Sequence, residues 1–431
     1  MNLSSRSPLR WVPSLYFAMG LPFVVLNMVS AVLYKDLGIS DAQIAFWTSL
    51  IMWPWTIKFL WSPFLELYRT KKFWVVGSQL LSGVLFGVAA LSLHLPLFFS
   101  VSVAVFAVVA FSGATHDIAA DGVYMSELSP ASQAKYIGWQ GAFYNLAKLV
   151  ATGGLVWFAG WLYEGFSADG ASSYDASVGS WTVVLLILCG TLVALGLYHL
   201  RALPSGGSAS EGRSLRDGLS GLKEVVGAFF QKKHIWYYLG FIILYRLGEG
   251  FVMKIVPLFL KADTASGGLG LTNQQIGLYY GTFGAGAFLL GSLLAGYYIA
   301  HRGLRRTLFI LCCIFNIPFA VYALLAWLQP QSMWIVGGGI VLEYFGYGFG
   351  FVGLTLFMMQ QVAPGRHQMA HYAFASGIMN LSVMLTGAVS GYLSDALGYG
   401  MFFLAVMLAT VPAFLVTWFV PFTYDDKPND K

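Results

Sequence analysis

The chain alternates between long apolar runs and short polar stretches along nearly its whole length. A helix of about 20 apolar residues is long enough to cross the hydrocarbon core of a bilayer. Twelve such runs occur, at residues 11–34, 42–67, 73–94, 98–125, 138–163, 179–200, 236–260, 273–300, 308–328, 333–362, 372–394 and 401–420. The pattern predicts an all-α polytopic membrane protein of about twelve transmembrane helices.

Composition supports the same fold class. The 431 residues are 58% hydrophobic and only 10% charged, whereas soluble domains carry about 25% charged residues. The three cysteines lie in apolar runs, which favours neither a disulfide framework nor a metal site. The first run is too long for a signal peptide and lacks a cleavage pattern, so we expect an uncleaved span. The basic residues are dispersed over short loops, so nucleic acid is not an expected partner.

Lysine and arginine are concentrated on one side of the predicted membrane. Only Lys35 and Lys261 fall in the opposite loops. The basic positions of the first side are residues 69–72, Lys135, 301–306, Arg366 and six residues between 201 and 233. The positive-inside rule therefore predicts cytoplasmic termini in a multi-pass protein of the inner membrane.

Residues 201–235 interrupt the apolar pattern and predict a cytoplasmic linker between residues 1–200 and 236–431. A polar stretch is followed by apolar residues at helical spacing, namely Leu215, Leu219, Leu222, Val226 and Phe229. This spacing favours an amphipathic helix on the membrane surface. A flexible connector is the alternative.

The two halves contain a related segment. "LGISDAQIAF" begins at residue 37 and "LGLTNQQIGL" at residue 269, each between the first and second span of its half. Ser40 with Gln43 and Thr272 with Gln275 both fit a capping box at a helix start. Two such boxes at equivalent places indicate a duplicated transporter, with two six-helix bundles around a central cavity.

Charged residues inside the spans are the main functional signal. A charge at the centre of a bilayer costs about 2.5–3.5 kcal/mol on insertion scales, so such residues usually face a cavity or a partner. In a two-bundle fold the fourth, seventh and tenth spans line the cavity. The intramembrane charges are Lys58, Asp117, Asp121, Lys148, Arg246, Glu249, Lys254 and Glu343.

Asp117 and Asp121 share one helix face because they are four residues apart. Two nearby carboxylates in a low dielectric cannot both ionise easily, so the pair is a candidate for proton coupling. The alternative is that one aspartate pairs with Lys148 or Arg246 and only holds helices together. Asp121 lies near the cytoplasmic end and could serve as a gate. His116 is a packing histidine or a relay to the site.

Arg246 and Glu249, three residues apart, either neutralise one another or hold an anionic substrate group on the guanidinium. Glu343 stands beside Tyr344 and Tyr347 and needs a partner, a proton or a ligand. Glu249 and Glu343 are therefore further candidates for proton coupling, and both tyrosines are candidates for substrate binding.

Lys148 and Lys254 are further candidates for an anionic substrate, although Lys254 could extend to the outer interface. The sequence has no P-loop, no G-x-S-x-G, no H-E-x-x-H and no metal-spaced Cys/His cluster. We therefore expect neither ATP-driven transport nor catalysis, and no cofactor.

Several segments resemble the AmpG-like branch of the major facilitator superfamily, which includes muropeptide permeases and acetyl-coenzyme A transporters. They are "GLPFVVLN" at 20, "IKFLWSPFLE" at 57, "HDIAADGVY" at 116, "LYRLGEGF" at 244, "GYYIAHRGLRRT" at 296 and a long segment from 371. The resemblance implies functional roles for Lys58, Asp117, Asp121, Arg246 and Glu249. His116 and Gly122 depart from the family pattern, which usually has Gln and Ala there.

The resemblance also implies a cytoplasmic gate. Glu66 stands where the family usually has aspartate and, with Arg69, resembles the superfamily's latch between acidic and basic side chains. The second-half copy holds Arg302 and Arg305, with Ala300 in place of the acid.

The sequence therefore predicts a proton-coupled symporter that imports an amphipathic, anionic solute by alternating access. The expected solute is a muropeptide or cell-wall amino sugar. Its partners would be this small molecule, protons and the lipid bilayer, and we expect a monomer. A siderophore or an acetyl-coenzyme A-type substrate is the alternative within the fold. Two rivals of other classes are a non-transporting membrane sensor and a membrane-embedded acyl- or glycosyltransferase.

Overall fold

The computed structural model describes residues 7–39, 41–207, 222–271 and 273–424, and these ranges contain helices and no strand. In the first half the helices are α1 (Pro8–Asp36), α2 (41–67), α3 (Lys71–Ser92), α4 (Phe98–Glu127), α5 (Pro130–Ala168) and α6 (Ser173–Ala202).

A short helix, α7 (Leu222–Phe230), precedes the second half. It is followed by α8 (235–261), α9 (273–302), α10 (Leu304–Leu328) and α11 (Met333–Val362). The helical stretch Gln368–Trp418 is divided by the non-helical backbone of Gly398, which gives α12 (368–397) and α13 (399–418).

The chain divides into two compact units. The first unit contains the described residues of Met1–Glu127 and Phe143–Leu222, and the second contains those of Leu128–Ala142 and Lys223–Lys431. The cytoplasmic start of α5 therefore groups with the second unit, and the rest of α5 with the first. Ser40, Thr272, Leu215 and Leu219 lie outside the described residues.

Local sequence determines where several helices begin. The Thr70 side chain accepts a hydrogen bond from the backbone N–H of Phe73, 3.1 Å away, and so caps α3. Ser172 caps α6 in the same way through the N–H of Asp175, also at 3.1 Å. These contacts satisfy backbone donors that have no partner within the helix itself.

Nine of the helical segments in the described residues are long and apolar enough to cross a membrane. The other three predicted spans are helical but are interrupted or joined to a neighbour. The 42–67 span is broken by a 3₁₀ turn at Lys58–Leu60, and the 236–260 span is broken at Arg246. The 372–394 span forms part of Gln368–Trp418.

Each unit has a packed interior. In the first unit Phe86, Phe106 and Trp181 are almost fully buried in one hydrophobic cluster. In the second unit α11 brings glycines against its neighbours. A Cβ at Gly346 would lie 2.4 Å from the Ile314 carbonyl oxygen of α10, so the small residue permits close helix contact.

Helix α7 packs on the second unit through an apolar face that includes Phe229 of the predicted pattern and Val225 beside it, whereas Val226 of that pattern is only half-buried. Val225 and Phe229 are buried, and Phe229 contacts the rings of His371 and Phe374 at centroid distances of 5.5 and 5.1 Å. Lys223 and Glu224, on the other side, are exposed.

Candidate functional site

In the first unit the polar residues of α2 and α4 form a buried ion pair. The Lys58 ammonium lies 3.6 Å from a carboxylate oxygen of Asp117, and both residues are at least nine-tenths buried. Asp117 therefore pairs with Lys58, and not with Lys148 or Arg246 as the structural alternative proposed. The other carboxylate oxygen, Oδ1, has no hydrogen-bond partner among the described residues.

Asp121 has a different neighbour one turn further along α4. The Tyr16 hydroxyl of α1 donates a hydrogen bond of 2.8 Å to Asp121 Oδ1. The rings of Tyr16 and Tyr124 meet edge to face at 5.9 Å. The two aspartates therefore occupy one face of α4, as predicted, but they bind different partners.

His116 is buried beside these aspartates, and neither of its ring nitrogens has a hydrogen-bond partner in the described part of the chain. A second buried histidine, His199 of α6, lies within electrostatic range of it. His199 contacts Ser14 Oγ at 2.9 Å and Gln79 Oε1 at 2.8 Å, and so joins α6 to α1 and α3.

Lys148 is exposed at the end of the α-helical part of α5. The next residues, Val150–Leu155, form a π-helix, a local widening that is frequent at functional sites. No ion pair to Lys148 occurs among the described residues. Among the candidate substrate-binding cations that the structure describes, Lys148 is therefore the one without an acidic partner. The side chain of Lys254 lies outside the described structure.

In the second unit Arg246 and Glu249 form a bidentate pair. Nε and one terminal nitrogen of the guanidinium each donate to a different carboxylate oxygen of Glu249. Both residues are more than nine-tenths buried. The face of Phe351 lies 5.1 Å from the Arg246 guanidinium carbon, a distance suited to a cation–π contact.

The backbone conformation of Arg246 places this pair at a break between two helices. Its φ and ψ of −102° and 8° end the helix Ile235–Tyr245, and a new helix starts at Leu247. Broken transmembrane helices of transporters commonly expose a positive N-terminal end at the binding site. The Lys58–Leu60 turn of α2 likewise places the other buried cation at a helix break.

Glu343 of α11 has a partner that the sequence did not reveal. The Tyr322 hydroxyl of α10 donates a hydrogen bond of 2.8 Å to Glu343 Oε2. Tyr344 contacts Tyr280 edge to face at 5.0 Å and Tyr347 at 6.3 Å. Glu343 therefore lies in a cluster of tyrosines.

Tyr347 connects this cluster to the bidentate pair. Its hydroxyl interacts with both Arg246 and Glu249. In the second unit the predicted site residues of the seventh and tenth spans therefore lie together. Lys254 is not included, because its side chain is not described.

The predicted gating residues differ in their neighbours, which are a cation, aromatic rings or solvent. Glu66 lies 3.7 Å from the ammonium of Lys71. Arg69 has a left-handed backbone, with φ of 66°, and its guanidinium lies over the Tyr68 and Phe73 rings at 5.4 and 5.6 Å. In the second unit Arg302 is exposed, and the Arg305 guanidinium lies 5.9 Å from the ring centre of Phe422.

Sequence reasoning missed Tyr16, Tyr322 and the His199 contacts. A tyrosine in an apolar span is common, so composition alone does not single it out. The available signal was an unpaired intramembrane carboxylate, which requires a donor on some neighbouring helix.

The sequence of this chain matches a known protein family. The model of the Major Facilitator Superfamily matches residues 14–363 and 242–431. The anhydromuropeptide permease of Escherichia coli K12 is 26% identical over 416 residues, which cover 93% of this chain and 77% of that protein.

Solved structures share the fold at low sequence identity. The transporter FucP in the outward conformation aligns with a TM-score of 0.68 at 14% identity, over 96% of this chain and 98% of its own. The proton:xylose symporter XylE aligns with a TM-score of 0.62 at 14% identity, over 98% and 97%. These proteins are transporters, not enzymes. The chain therefore belongs to the major facilitator superfamily, as a multi-pass inner-membrane transporter of its AmpG-like branch.

Proposed function

We propose that the protein is a proton-coupled symporter that imports an anhydromuropeptide or a closely related anionic cell-wall amino sugar. It would work by alternating access. The relative named as a permease for anhydromuropeptides supports this substrate class. The buried Lys58–Asp117 ion pair is the observation that carries the coupling mechanism.

Asp117 is the proposed proton acceptor. A proton that binds its carboxylate removes the negative charge that holds Lys58, 3.6 Å away. The released ammonium is then able to bind a carboxylate of the incoming solute. Since Asp117 Oδ1 has no hydrogen-bond partner in the described chain, a proton on that oxygen displaces no existing contact.

Arg246 is the proposed second contact for the solute, with Glu249 as the residue that positions it. The bidentate contact uses Nε and one terminal nitrogen and so fixes the plane of the guanidinium, and the other terminal nitrogen is the proposed donor to the solute. Planar forks of this kind suit carboxylates. The tyrosines around Glu343 offer faces for sugar rings.

Uptake of labelled anhydromuropeptide into proteoliposomes tests the proposal, with and without an inward proton gradient. We expect wild-type protein to concentrate the solute only with the gradient. Asp117→Asn should abolish this gradient-driven uptake, because the amide cannot take up a proton. Asp169→Asn is the matched control, since Asp169 is exposed in the loop after α5.

Each contrary result has a distinct meaning. Normal gradient-driven uptake by Asp117→Asn would move the coupling role to Glu249 or Glu343. No uptake by folded wild-type protein would reject the muropeptide, and a panel of siderophores and acetyl-coenzyme A would follow. Uptake driven by sodium alone would reject proton coupling.

A further inference from the structure

A buried indole N–H lies beside the Lys58–Asp117 ion pair and takes no part in it. It belongs to Trp55 of α2, whose side chain is only 5% exposed. The indole nitrogen is buried, and it has no hydrogen-bond acceptor among the described residues. Buried indole N–H groups usually have an acceptor, because an unsatisfied donor costs free energy. This donor therefore needs an acceptor that the described part of the fold does not supply.

Close packing holds the Trp55 ring against α4. A Cβ at Gly113 would lie 2.7 Å from Cζ2 of Trp55, so the indole occupies the space that a side chain would otherwise take. Phe23 of α1 meets the indole edge to face, with ring centroids 5.2 Å apart. Trp55 precedes Lys58 by three residues, and Gly113 precedes Asp117 by four. The contact of the indole with Gly113 is thus followed, about one turn along both helices, by the ion pair.

The indole nitrogen and the Asp117 carboxylate are neighbours that do not satisfy one another. Trp55 lies within electrostatic range of this carboxylate. Asp117 Oδ1 is itself buried and has no hydrogen-bond partner in the described chain. Once Asp117 carries the proton of the proposed coupling step, its carboxyl group becomes a second donor. Two neighbouring donors match one carbonyl oxygen, which has two lone pairs.

We propose that Trp55 Nε1 and the protonated carboxyl group of Asp117 together bind the carbonyl oxygen of an acetamido group on the solute. This inference rests on the proposed function and assigns a binding site for the N-acetyl group of the amino sugar. Both donor atoms are buried, so only a small end group of the solute reaches them. The space for it is the place that the Lys58 ammonium leaves when Asp117 is protonated.

The contact makes solute binding depend on the proton. An ionised Asp117 presents only acceptor oxygens, which repel the oxygen of a carbonyl group. The protonated form donates to it instead, while the released Lys58 binds the solute carboxylate. The proton remains on Asp117 as long as the solute is bound, and no covalent bond of the solute changes. Trp55 is therefore a specificity-determining residue, since its N–H selects for an acceptor beside the sugar ring.

Binding of two labelled compounds to the purified full-length protein tests the contact. One is anhydromuropeptide, and the other is its analogue with sulfur in place of each acetamido oxygen. Sulfur accepts hydrogen bonds weakly, while the charge and overall shape of the compound are kept. Loss of one neutral hydrogen bond corresponds to about fivefold in affinity. Wild-type protein at acidic pH should therefore bind the oxygen compound about tenfold more tightly, as measured by equilibrium dialysis.

Trp55→Phe removes the indole N–H and keeps an aromatic ring. It should weaken binding of the oxygen compound about fivefold and leave binding of the sulfur compound nearly unchanged. Trp157→Phe is the matched control, because it makes the same chemical change at a tryptophan of α5 that is 69% exposed. It should bind both compounds like wild type.

Gly113→Ala is a second variant that keeps Trp55 but displaces its ring. It should also reduce the preference for the oxygen compound, because the indole nitrogen moves away from its position beside Asp117. The thermal unfolding temperature shows whether each variant is folded. The comparison of the two compounds on wild-type protein needs no variant at all, so it decides the question even if a substitution prevents folding.

Two results would overturn the proposal and leave the proposed function intact. The first is equal affinity of wild-type protein for both compounds, together with gradient-driven uptake of anhydromuropeptide. The second is a full tenfold preference retained by folded Trp55→Phe. Failure of folded wild-type protein to bind either compound would instead reject the proposed function, and the acetamido contact with it.

Discussion

At the scale of single residues, the buried charges of both units are matched by side chains that lie close to them. Asp117 pairs with Lys58, and Glu249 accepts hydrogen bonds from two nitrogens of Arg246. A buried pair adds little net stability, because desolvation offsets much of the attraction. Removing one partner is costly, since the other charge then remains in a low-dielectric site. A transporter that must break such a pair needs a proton or a solute to replace the lost partner.

The Arg246–Glu249 pair should show strong coupling in a double-mutant cycle. We expect Arg246→Gln and Glu249→Gln each to lower the free energy of unfolding by about 3–5 kcal/mol, because each leaves an uncompensated buried charge. The double variant should be less destabilised than the sum of the two. Reversible unfolding in detergent, followed by circular dichroism, measures the effects.

The Arg366–Glu224 pair is the internal control for this cycle. Its nitrogen–oxygen distance is 2.8 Å, but its side chains are 65% and 58% exposed. Water screens such a pair, so its coupling energy should be below about 1 kcal/mol. Equal coupling energies for the two pairs would contradict the view that burial makes the Arg246–Glu249 contact strong.

The sequence predicted which residues carry charge into the membrane, but only some of their partners. Arg246 and Glu249 are three residues apart, so helical spacing was enough to suggest their contact. Lys58 and Asp117 lie on different spans, and their contact depends on how α2 turns at Lys58. No local pattern reports such a tertiary contact.

At the scale of elements, hydropathy located the spans but not their interruptions. Residues 236–260 read as one apolar run, whereas the backbone leaves helical geometry at Arg246. Hydropathy sums side-chain preferences over a window and does not sense backbone geometry. Proline gives a partial signal in α2, where Pro54 and Pro63 begin new helical turns. The break at Arg246 has no such residue.

A close contact between α5 and α9 in the second unit leads to a second prediction. A Cβ at Gly138 would lie 2.4 Å from the Ser292 carbonyl oxygen and 2.6 Å from the Leu293 Cα. Backbone atoms cannot move aside as a flexible side chain does, so Gly138→Ala must separate the helices. We expect it to lower the free energy of unfolding by about 1–3 kcal/mol.

Gly141→Ala is the matched control for this substitution, one turn further along α5. Its Cβ would meet Ser292 Cβ at 3.5 Å, an ordinary contact distance. Because alanine favours helix by about 1 kcal/mol over glycine, this variant should be neutral or slightly stabilised. Similar unfolding curves for the two variants would show that α5 and α9 are not packed this closely.

At the scale of the whole molecule, each end of the linker is attached to the unit that it adjoins. In the first unit the Glu127 carboxylate accepts a hydrogen bond of 2.7 Å from the N–H of Gly206, and the Lys72 ammonium donates to the Leu203 carbonyl at 3.0 Å. In the second unit the Lys232 ammonium donates to three consecutive carbonyls, at residues 362–364. The amphipathic pattern predicted α7, but not these attachments, which join residues distant in sequence.

The Lys232 attachment should make stability depend on pH in one alkaline window. Burial lowers the pKa of Lys232 to about 8, from its ordinary value of 10.5. Between these values the unfolded chain holds a proton that the folded chain has released. The free energy of unfolding should therefore rise with pH from about 8 to 10.5 through this residue, and be independent of it below 8.

Lys232→Met removes this titration, so the difference in unfolding free energy between wild type and variant isolates it from the other groups that ionise in alkali. That difference should be constant from pH 6 to about 7 and should then change in favour of wild type above pH 8. Lys233→Met is the control, because Lys233 is exposed next to it, and its difference should not vary in this window. A difference that moves against wild type would mean that the hydrogen bonds to the three carbonyls favour the ammonium more than burial disfavours it. The attachment of Lys232 to residues 362–364 would then weaken as the pH rises.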